Sequence, residues 1–347
     1  MLLLTPFPPP SGGDSTWSVD YSEFAKKGDL KIEYINTSVI GIRSKGIEGT
    51  QSLPDELARS LRIWLNLIYK ILKFNPDVIH FNTNCSPKGL LRDVATSVII
   101  QILFKKYIIH CHCNVRDQLK ESKLGIFLFR ILILRAKSVI LLNDDSLNFL
   151  KSISKTDSFF IPNFIANRYI IADPKIISFE IKNVIFLGHV RKSKGIIEIC
   201  EVAKKNPEIN FFIIGPIHNE LTYFPFPDNM ILKGHQQREE VIHQLDLSDL
   251  FIFPSHTEGF SIAMLEAMSR GLPILATNVG ANQFMIDGEG GIIVEKGDIN
   301  ALCESFLKLK NSQLRKKMSQ FNVRRVKEKF SEDKVIEEYY NIYSKVK

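Results

Sequence analysis

The chain has 347 residues, 45% hydrophobic and 24% charged, which is room for two domains of ordinary size and excludes a disordered or low-complexity protein. Its 45 basic and 38 acidic residues leave a formal charge of +7, a bias toward anionic partners that does not by itself choose among nucleotides, phospholipid headgroups and nucleic acid. No stretch reaches the roughly 18–20 uninterrupted apolar residues that span a bilayer, Met1–Leu4 is too short and lacks the basic leader of a signal peptide, and five cysteines fit a reducing cytoplasm better than a disulfide framework.

Met1–Thr5 is a candidate buried strand ending at the Pro- and Gly-rich turn Pro6–Gly13. Leu30–Thr37 is a second strand. Leu53–Phe74 has helical periodicity and stops before Asn75-Pro76. Asp77–Phe81 is a strand opening into the polar loop Asn82–Lys88. Leu90–Leu103 is a helix and Tyr107–Cys111 a strand ending at His112. Then come helix Ile126–Leu134, strand Ser138–Leu142, helix Asp144–Ser152 and strand Phe159–Pro162. Residues 166–182 are polar and weakly patterned, a candidate linker. The alternation restarts with strand Asn183–Leu187, helix Gly195–Lys205 and strands Phe211–Ile214 and Met230–Leu232. It continues with helix Arg238–Leu245, strand Leu250–Phe253, helix Ser261–Ser269, strands Pro273–Ala276 and Gly291–Val294, and helices Ile299–Lys310 and Leu314–Lys329. Short apolar runs alternating with helices predict an α/β protein of parallel sheets. Two such series predict two Rossmann-like domains facing a cleft, residues 1–165 and 183–330. A C-terminal helix in 331–347 is expected to return to the first domain through Tyr339, Tyr340 and Tyr343. Ligands of such sheets sit beyond the carboxyl ends of the strands.

The densest cluster of chemical groups is 253–273, where a buried strand runs into a polar turn and a helix begins near Ser261. The free amides of its first turn form an anion site. Glu258 lies in the turn and Glu266 eight residues on, so two carboxylates can reach one ligand from different directions. Equally open is the plainer reading that Glu258 caps the helix electrostatically and Glu266 is merely exposed. A second cluster, Leu187-Gly-His-Val-Arg-Lys-Ser-Lys-Gly195, also follows a strand. Gly188 permits close backbone approach. Arg191, Lys192 and Lys194 put positive charge at a helix N-terminus, where the dipole opposes it, which a bound anion explains better than helix stability. A solvated basic turn is the alternative. Gly12-Gly13 either lets an N-terminal loop approach a ligand or is a surface turn.

His110-Cys-His-Cys113 does not predict a metal site. Alternation along a strand sends the two histidines one way and the two cysteines the other, and no second cysteine pair at ligand spacing exists. His112, at the strand's carboxyl end, remains a site candidate. Between Lys105 and Lys137 there are eight basic and two acidic residues around the apolar run Leu124–Leu134. This is either a face that lies on an anionic membrane or a buried helix with basic ends. Lys308–Lys329 carries nine basic residues against one acidic, a solvated face by default. Neither region has the aromatic interleaving of a nucleic-acid platform, so no nucleic-acid partner is expected.

With these residues laid out, the chain resembles the retaining glycosyltransferases of family 4, the glycosyl transferases group 1, with the GT-B fold. The resemblance extends over essentially the whole chain and is strongest from Val184 to Val294. Its specific part is the Glu-x7-Glu signature, Glu258 to Glu266, within Thr-Glu-Gly-Phe-Ser and Glu-Ala-Met-Ser-Arg-Gly-Leu-Pro. Downstream, Ala276-Thr-Asn-Val-Gly-Ala and Asp287-Gly-Glu-Gly-Gly match the family's following loops. Upstream, Gly188 to Gly195 matches its basic nucleotide-phosphate loop. In the first half, Pro9-Pro-Ser-Gly-Gly13, Pro76-Asp-Val-Ile-His80, His112 and Ile161-Pro-Asn163 fall where members have similar elements.

The resemblance implies roles. Glu266 holds the donor's ribose hydroxyls, and Glu258 sits near the donor sugar and the reacting centre. The amides of Gly259, Phe260 and Ser261 bind sugar and phosphates. Arg191 and Lys194 neutralise the leaving diphosphate, Gly13 approaches the donor phosphates, and His112 lines the acceptor side. The donor is a nucleoside diphosphate sugar and no metal or further cofactor is required. The acceptor is a saccharide or an undecaprenyl-diphosphate-linked saccharide in surface polysaccharide, capsule or lipopolysaccharide synthesis, at the inner face of a bacterial cytoplasmic membrane. The chain departs from the family at three points: His189 stands where Arg is common, Ser261 where Gly is common, and Asp14 follows the glycine pair. Rival expectations are a nucleotide-sugar epimerase or hydrolase of the same architecture and a catalytically silent binding or partner subunit.

Overall fold

The computed structural model describes every residue except 11, 28–29, 41–51, 120–121, 174 and 347. Ser11, within the Pro9–Gly13 motif, and Lys120, within the basic stretch Lys105–Lys137, lie outside the described residues. The chain divides into two compact units. The first is Met1–Asn163 with Val335–Lys347 and the second is Phe164–Lys334.

The first unit contains β1 (Leu2–Thr5), α1 (Gly13–Lys27), β2 (Glu33–Asn36), α2 (Leu53–Phe74), β3 (Val78–Thr83), α3 (Pro87–Ile102), β4 (Lys106–Cys111), α4 (Val115–Leu119), α5 (Lys123–Ile133), β5 (Ser138–Leu141), α6 (Asp144–Ile153) and β6 (Ser158–Phe160). The strands form one parallel sheet in the order β2-β1-β3-β4-β5-β6. The inner strands β1, β3 and β5 are buried throughout, as expected of parallel strands covered on both faces, while β2 and β6 at the edges are only partly buried. Helix α2 starts at Ser52, whose side chain accepts from Asp55 N at 3.2 Å, and ends at Asn75 in the left-handed conformation (φ 48°). On one face of the sheet, Ile63 and Leu67 of α2, Ile100 of α3 and Phe129 of α5 close a core over Leu2, Leu4, Phe81 and Ile109. The opposite face is covered by α1, which the sequence patterning does not predict. Its sequence is mostly polar; beside the apolar i, i+4, i+8 stripe Trp17, Tyr21 and Ala25 it also buries Ser15, Ser18, Asp20 and Ser22.

The second unit contains β7 (Asn183–Leu187), α7 (Ile196–Lys204), β8 (Asn210–Ile214), β9 (Met230–Gly234), α8 (Arg238–Asp246), β10 (Leu250–Phe253), α9 (Ile262–Ser269), β11 (Ile274–Thr277), α10 (Asn282–Ile286), β12 (Gly291–Val294), α11 (Ile299–Lys308) and α12 (Ser312–Arg325), the last running into a π-helical turn, Val326–Phe330. Its parallel sheet has the order β12-β11-β10-β7-β8-β9, the strand order of dinucleotide-binding folds. Both sheets are therefore Rossmann-like, as the sequence predicts. The order reverses between β1 and β3 in the first sheet and between β7 and β10 in the second. Loops leaving those strands flank the switch points where such folds bind ligands.

Residues 166–182, expected as a linker, lie within the second unit. Ile171 N donates to Ser269 O at 3.1 Å, and the fully buried Arg315 donates to Ser178 O and Phe179 O at 3.0 and 2.8 Å. A short polar strap can be held by hydrogen bonds to its backbone without any apolar periodicity. The last helix, α13 (Glu332–Val346), carries Tyr339 and Tyr343 into the first unit beneath α1. There Tyr343 Oη hydrogen-bonds Tyr21 Oη at 2.9 Å and His80 Nδ1 at 2.7 Å.

Candidate active site

The second unit gathers the basic loop after β7 and the carboxylate turn after β10 on either side of its switch point. Gly195, at φ +77°, lets the first loop close onto the second, since a Cβ there would lie 2.1 Å from Pro254 O. The contact is reinforced by His256 N donating to Ser193 O at 3.0 Å. Between these loops Lys194 Nζ forms a direct ion pair with Glu258 Oε1, and both side chains are largely buried (18% and 11% exposed). The Lys194 ammonium also stands 5.8 Å from the ring centroid of Phe253, the last residue of β10. Arg191 is half-buried, and its Nε is fully buried without a hydrogen-bond partner. His189, two residues before Arg191, is exposed. Gly188 leaves β7 with φ +146°.

Ser261 is the N-cap of α9, its side chain accepting from Met264 N at 3.1 Å. The cap therefore belongs to Ser261, while Glu258 is engaged by Lys194. The alternative in which Glu258 serves the helix end alone does not describe the structure. The turn before α9 is held open by Gly280 (φ +55°), where a Cβ would lie 2.2 Å from Glu258 O and 2.7 Å from Gly259 O. Ala281 N donates to Gly259 O at 3.0 Å. Phe260 is buried and sets its ring edge-on to Phe330, with centroids 5.4 Å apart.

Glu266, in the second turn of α9, is buried rather than exposed. Its Oε1 accepts from Arg238 Nε at 3.0 Å. The Arg238 guanidinium carbon lies 4.2 Å from the ring centroid of Tyr169, which comes from the strap before β7. Arg238 is a candidate site residue that the sequence analysis does not single out. The signal was present, because it is the first residue of α8 and another cation set against a helix dipole, as at Arg191 and Lys194. Glu198 and His256, 2.6 Å apart from Oε1 to Nε2, add a further pair behind the basic loop.

In the first unit the turn after β1 and the end of β4 come together. Asp14 Oδ1, in the first turn of α1, is 3.8 Å from His112 Nδ1, which places Gly13 beside His112. His110 and His112 share one side of β4 with ring centroids 3.9 Å apart, and His110 Nδ1 meets His80 Nε2 at 3.2 Å. Trp17 lies against all three histidines, within 5.7 Å between centroids. Cys111 and Cys113 point the other way, into the core over which α3 and α5 pack. Burial holds His112 and His80 at about 3 and His110 well below the ordinary histidine value, so all three rings are neutral at physiological pH. Desolvation raises Asp14 to about 7, a shift tempered by water because 37% of its side chain remains exposed. Helix α5, within the basic and apolar stretch, buries Gly125, Phe129, Leu132 and Ile133 and turns Leu124, Phe127 and Arg130 outward. It is amphipathic, neither wholly buried nor wholly superficial.

Residues 175–325 match the glycosyl transferases group 1 family. The chain is 32% identical over 175 residues to the capsular polysaccharide biosynthesis glycosyltransferase CapM of Staphylococcus aureus, spanning 46% of this chain and 45% of that protein. The chain thus spans about half the length of this curated relative. The sucrose-phosphate synthase of Thermosynechococcus elongatus superposes with a TM-score of 0.82 at 14% identity, covering 99% of this chain and 98% of that one. HepE of Anabaena in complex with UDP-glucose superposes with a TM-score of 0.74 at 14% identity, covering 99% of each chain. At such identities these likenesses establish the fold alone. Residues 175–325 are thus similar to the glycosyl transferases group 1 family, and the paired Rossmann-like sheets have the architecture of the GT-B fold.

Proposed function

We propose that this chain is a retaining glycosyltransferase of family 4. It would move a hexose or N-acetylhexosamine unit from a nucleoside diphosphate sugar to a saccharide or lipid-linked saccharide in bacterial surface polysaccharide synthesis. The observation that carries the proposal is the pairing of both signature carboxylates with cations at one switch point, Glu258 with Lys194 and Glu266 with Arg238. Two carboxylates so held are not an acid–base couple of the glycosidase kind. Glu266, oriented by Arg238, suits two vicinal ribose hydroxyls. Glu258, at the loop tip before α9, suits the donor sugar.

Glycosyl transfer develops positive charge at the anomeric carbon and negative charge on the departing diphosphate, which leaves with the electron pair of the broken C–O bond. The acceptor hydroxyl forms the new bond at that carbon and its proton passes to the departing phosphate. Lys194, Arg191 and the amides of Gly259, Phe260 and Ser261 supply preorganised positive potential for the leaving group. A buried guanidinium nitrogen without a partner, as at Arg191, is what an anion site would provide. Gly188 and Gly13 give the backbone room to approach the donor. His112, neutral at physiological pH, can donate or accept a hydrogen bond to a sugar hydroxyl without adding charge. The position at the inner face of a cytoplasmic membrane is part of the same reading.

Calorimetric titration with UDP-, GDP- and ADP-sugars tests the donor half, and sugar transfer by the wild type and by Glu258→Gln tests the rest. Donor binding with transfer lost in a folded Glu258→Gln supports the proposal. Rapid donor turnover without any acceptor would replace it with an epimerase or hydrolase. Binding of no nucleotide sugar by folded protein would leave a silent binding subunit.

A further inference from the structure

Among the described residues, twenty large hydrophobic side chains are exposed, and fourteen of them fall between Leu53 and Leu134 of the first unit. They are organised. On α2, Leu53, Leu57, Leu61, Leu65, Tyr69 and Leu72 are 55–73% exposed and follow one another at intervals of four, four, four, four and three residues. That spacing makes a single apolar row along a helix about 33 Å long. It is separate from the row that α2 buries, Ser60, Ile63, Leu67 and Ile71, and from its polar face. There Lys70 meets Glu33 at 2.6 Å and Arg62 reaches Ser38 O at 2.9 Å.

The apolar row continues onto the neighbouring helices of the same layer. Helix α3 lies between α2 and α5, and Trp64 Nε1 donates to Thr96 Oγ1 at 3.0 Å across the α2–α3 seam. Outward from α3 stand Leu91, Val98 and Ile102, and from α5 Leu124 and Phe127. A patch of this extent on an otherwise ordinary surface marks an interaction site.

We propose that the outer layer of α2, α3 and α5 docks the protein on an anionic lipid bilayer, with the leucine row of α2 lying in the interface. Charge selects the bilayer over other occupants. Residues 53–137 hold fourteen basic and six acidic side chains. Lys106, Lys123, Arg130, Arg135 and Lys137 are exposed around the ends of α3 and α5. Apolar rows fringed by cations are the composition of interfacial helices, and anionic headgroups attract them. The basic stretch Lys308–Lys329 of the second unit lacks such a companion row, since it holds none of the exposed large hydrophobics among the described residues. A second copy of the chain would bring like charge against like charge. The nearly constant four-residue step also drifts around the helix instead of forming the alternating three-and-four seam of a coiled coil. The proposal deepens the lipid-linked reading of the acceptor but rests on no step of sugar transfer.

The test is vesicle flotation of the full chain. One arm uses phosphatidylcholine vesicles containing about a third phosphatidylglycerol, the other phosphatidylcholine alone. The wild type is expected to float with the anionic vesicles at low salt and to release at high salt. The triple variant Leu57→Gln, Leu61→Gln, Leu65→Gln is expected to lose roughly tenfold or more in partitioning, and replacement of Lys106, Lys123, Arg130 and Lys137 by Gln to lose the preference for anionic lipid. Both variants should keep the wild-type circular dichroism and nucleotide-sugar binding. Failure of the wild type to bind anionic vesicles overturns the proposal, as does undiminished binding by the triple variant. A wild-type dimer that this variant converts to monomer would assign the row to a second copy instead. A fall in its thermal midpoint without a change in flotation would assign the row to the protein's own packing. Flotation without nucleotide-sugar binding would leave the docking surface standing and remove the transferase reading, and the converse result would do the opposite.

Discussion

Each of the two units is built on its own parallel six-stranded sheet, and the two carboxyl edges carry opposite chemistry. The second places full charges there, Lys194 against Glu258 and Arg238 against Glu266, with backbone amides at the start of α9. The first places the neutral His112 there, backed within the fold by the fully buried His80 and His110 and by Trp17, Tyr21, Tyr339 and Tyr343. A ligand whose leaving group gains negative charge suits the charged edge of the second unit, and one presenting uncharged hydroxyls suits His112 at the edge of the first. The strand orders differ in the same sense. Only the second sheet has the order of a dinucleotide binder, and only that unit overlaps the matched family region.

The largest expected effect breaks the charged edge. Lys194→Met should lower the transfer rate by about 10²–10³-fold, the usual consequence of removing one preorganised donor from a leaving-group site. The thermal midpoint should fall as well, since Glu258 is left largely buried without its partner, and steady-state assays below the midpoint separate the two effects. A variant that transfers sugar normally would remove Lys194 from the site. Glu266→Gln should act differently from Glu258→Gln. It weakens a charge-assisted hydrogen bond of about 1.5–3 kcal/mol, so it should raise the donor KM by roughly 10- to 100-fold while kcat changes less. An unchanged KM would show that Glu266 only anchors Arg238.

The neutral edge predicts a pH response confined to the first unit. His80 and His112 titrate at about 3 in the fold, against an ordinary value of 6.5. Between those limits the unfolded chain binds more protons than the native one, so stability falls as pH drops from 6.5 toward 3, by roughly 1 kcal/mol per pH unit for each histidine. Asp14 works the other way. Its raised pKa favours the fold at low pH, and that contribution is lost as pH rises through about 7, but its partial exposure makes it the weaker effect. Both tryptophans of the chain, Trp17 and Trp64, lie in this unit. Urea unfolding followed by their emission should therefore show a midpoint at pH 5 clearly below that at pH 7. Equal midpoints would mean that the histidines are hydrated in solution.

The smallest effect concerns the start of α9. Ser261→Ala removes the side chain that accepts from Met264 N and should cost about 1 kcal/mol, or roughly 2–4 °C in midpoint. If Ser261 is chiefly a ligand contact instead, the variant will keep its midpoint and lose donor affinity.

Much of this was legible from residues in order. The strands of both sheets are short apolar runs, and the ends of α2 are written in Ser52 and Asn75-Pro76, because backbone capping is local chemistry. The clusters holding Glu258, Glu266 and Lys194 are visible in the sequence as charges at helix starts after apolar strands, and the family resemblance implied their roles. What the sequence could not determine depends on which surfaces meet. Helix α1 escapes prediction because its buried face mixes the polar Ser15, Ser18, Asp20 and Ser22 with Trp17, Tyr21 and Ala25, and the histidine-lined face of the first sheet is what gives Trp17 a partner. The strap over 166–182 has no periodicity, since hydrogen bonds to Arg270 and Arg315 hold it. Arg238 becomes a site residue only when α8 brings it to Glu266, 28 positions along the chain. Helix α2 has two apolar rows, and periodicity treats them alike. Tertiary packing decided that Ile63 and Leu67 face the sheet while Leu61 and Leu65 face outward, because a sheet can cover only one side of a helix.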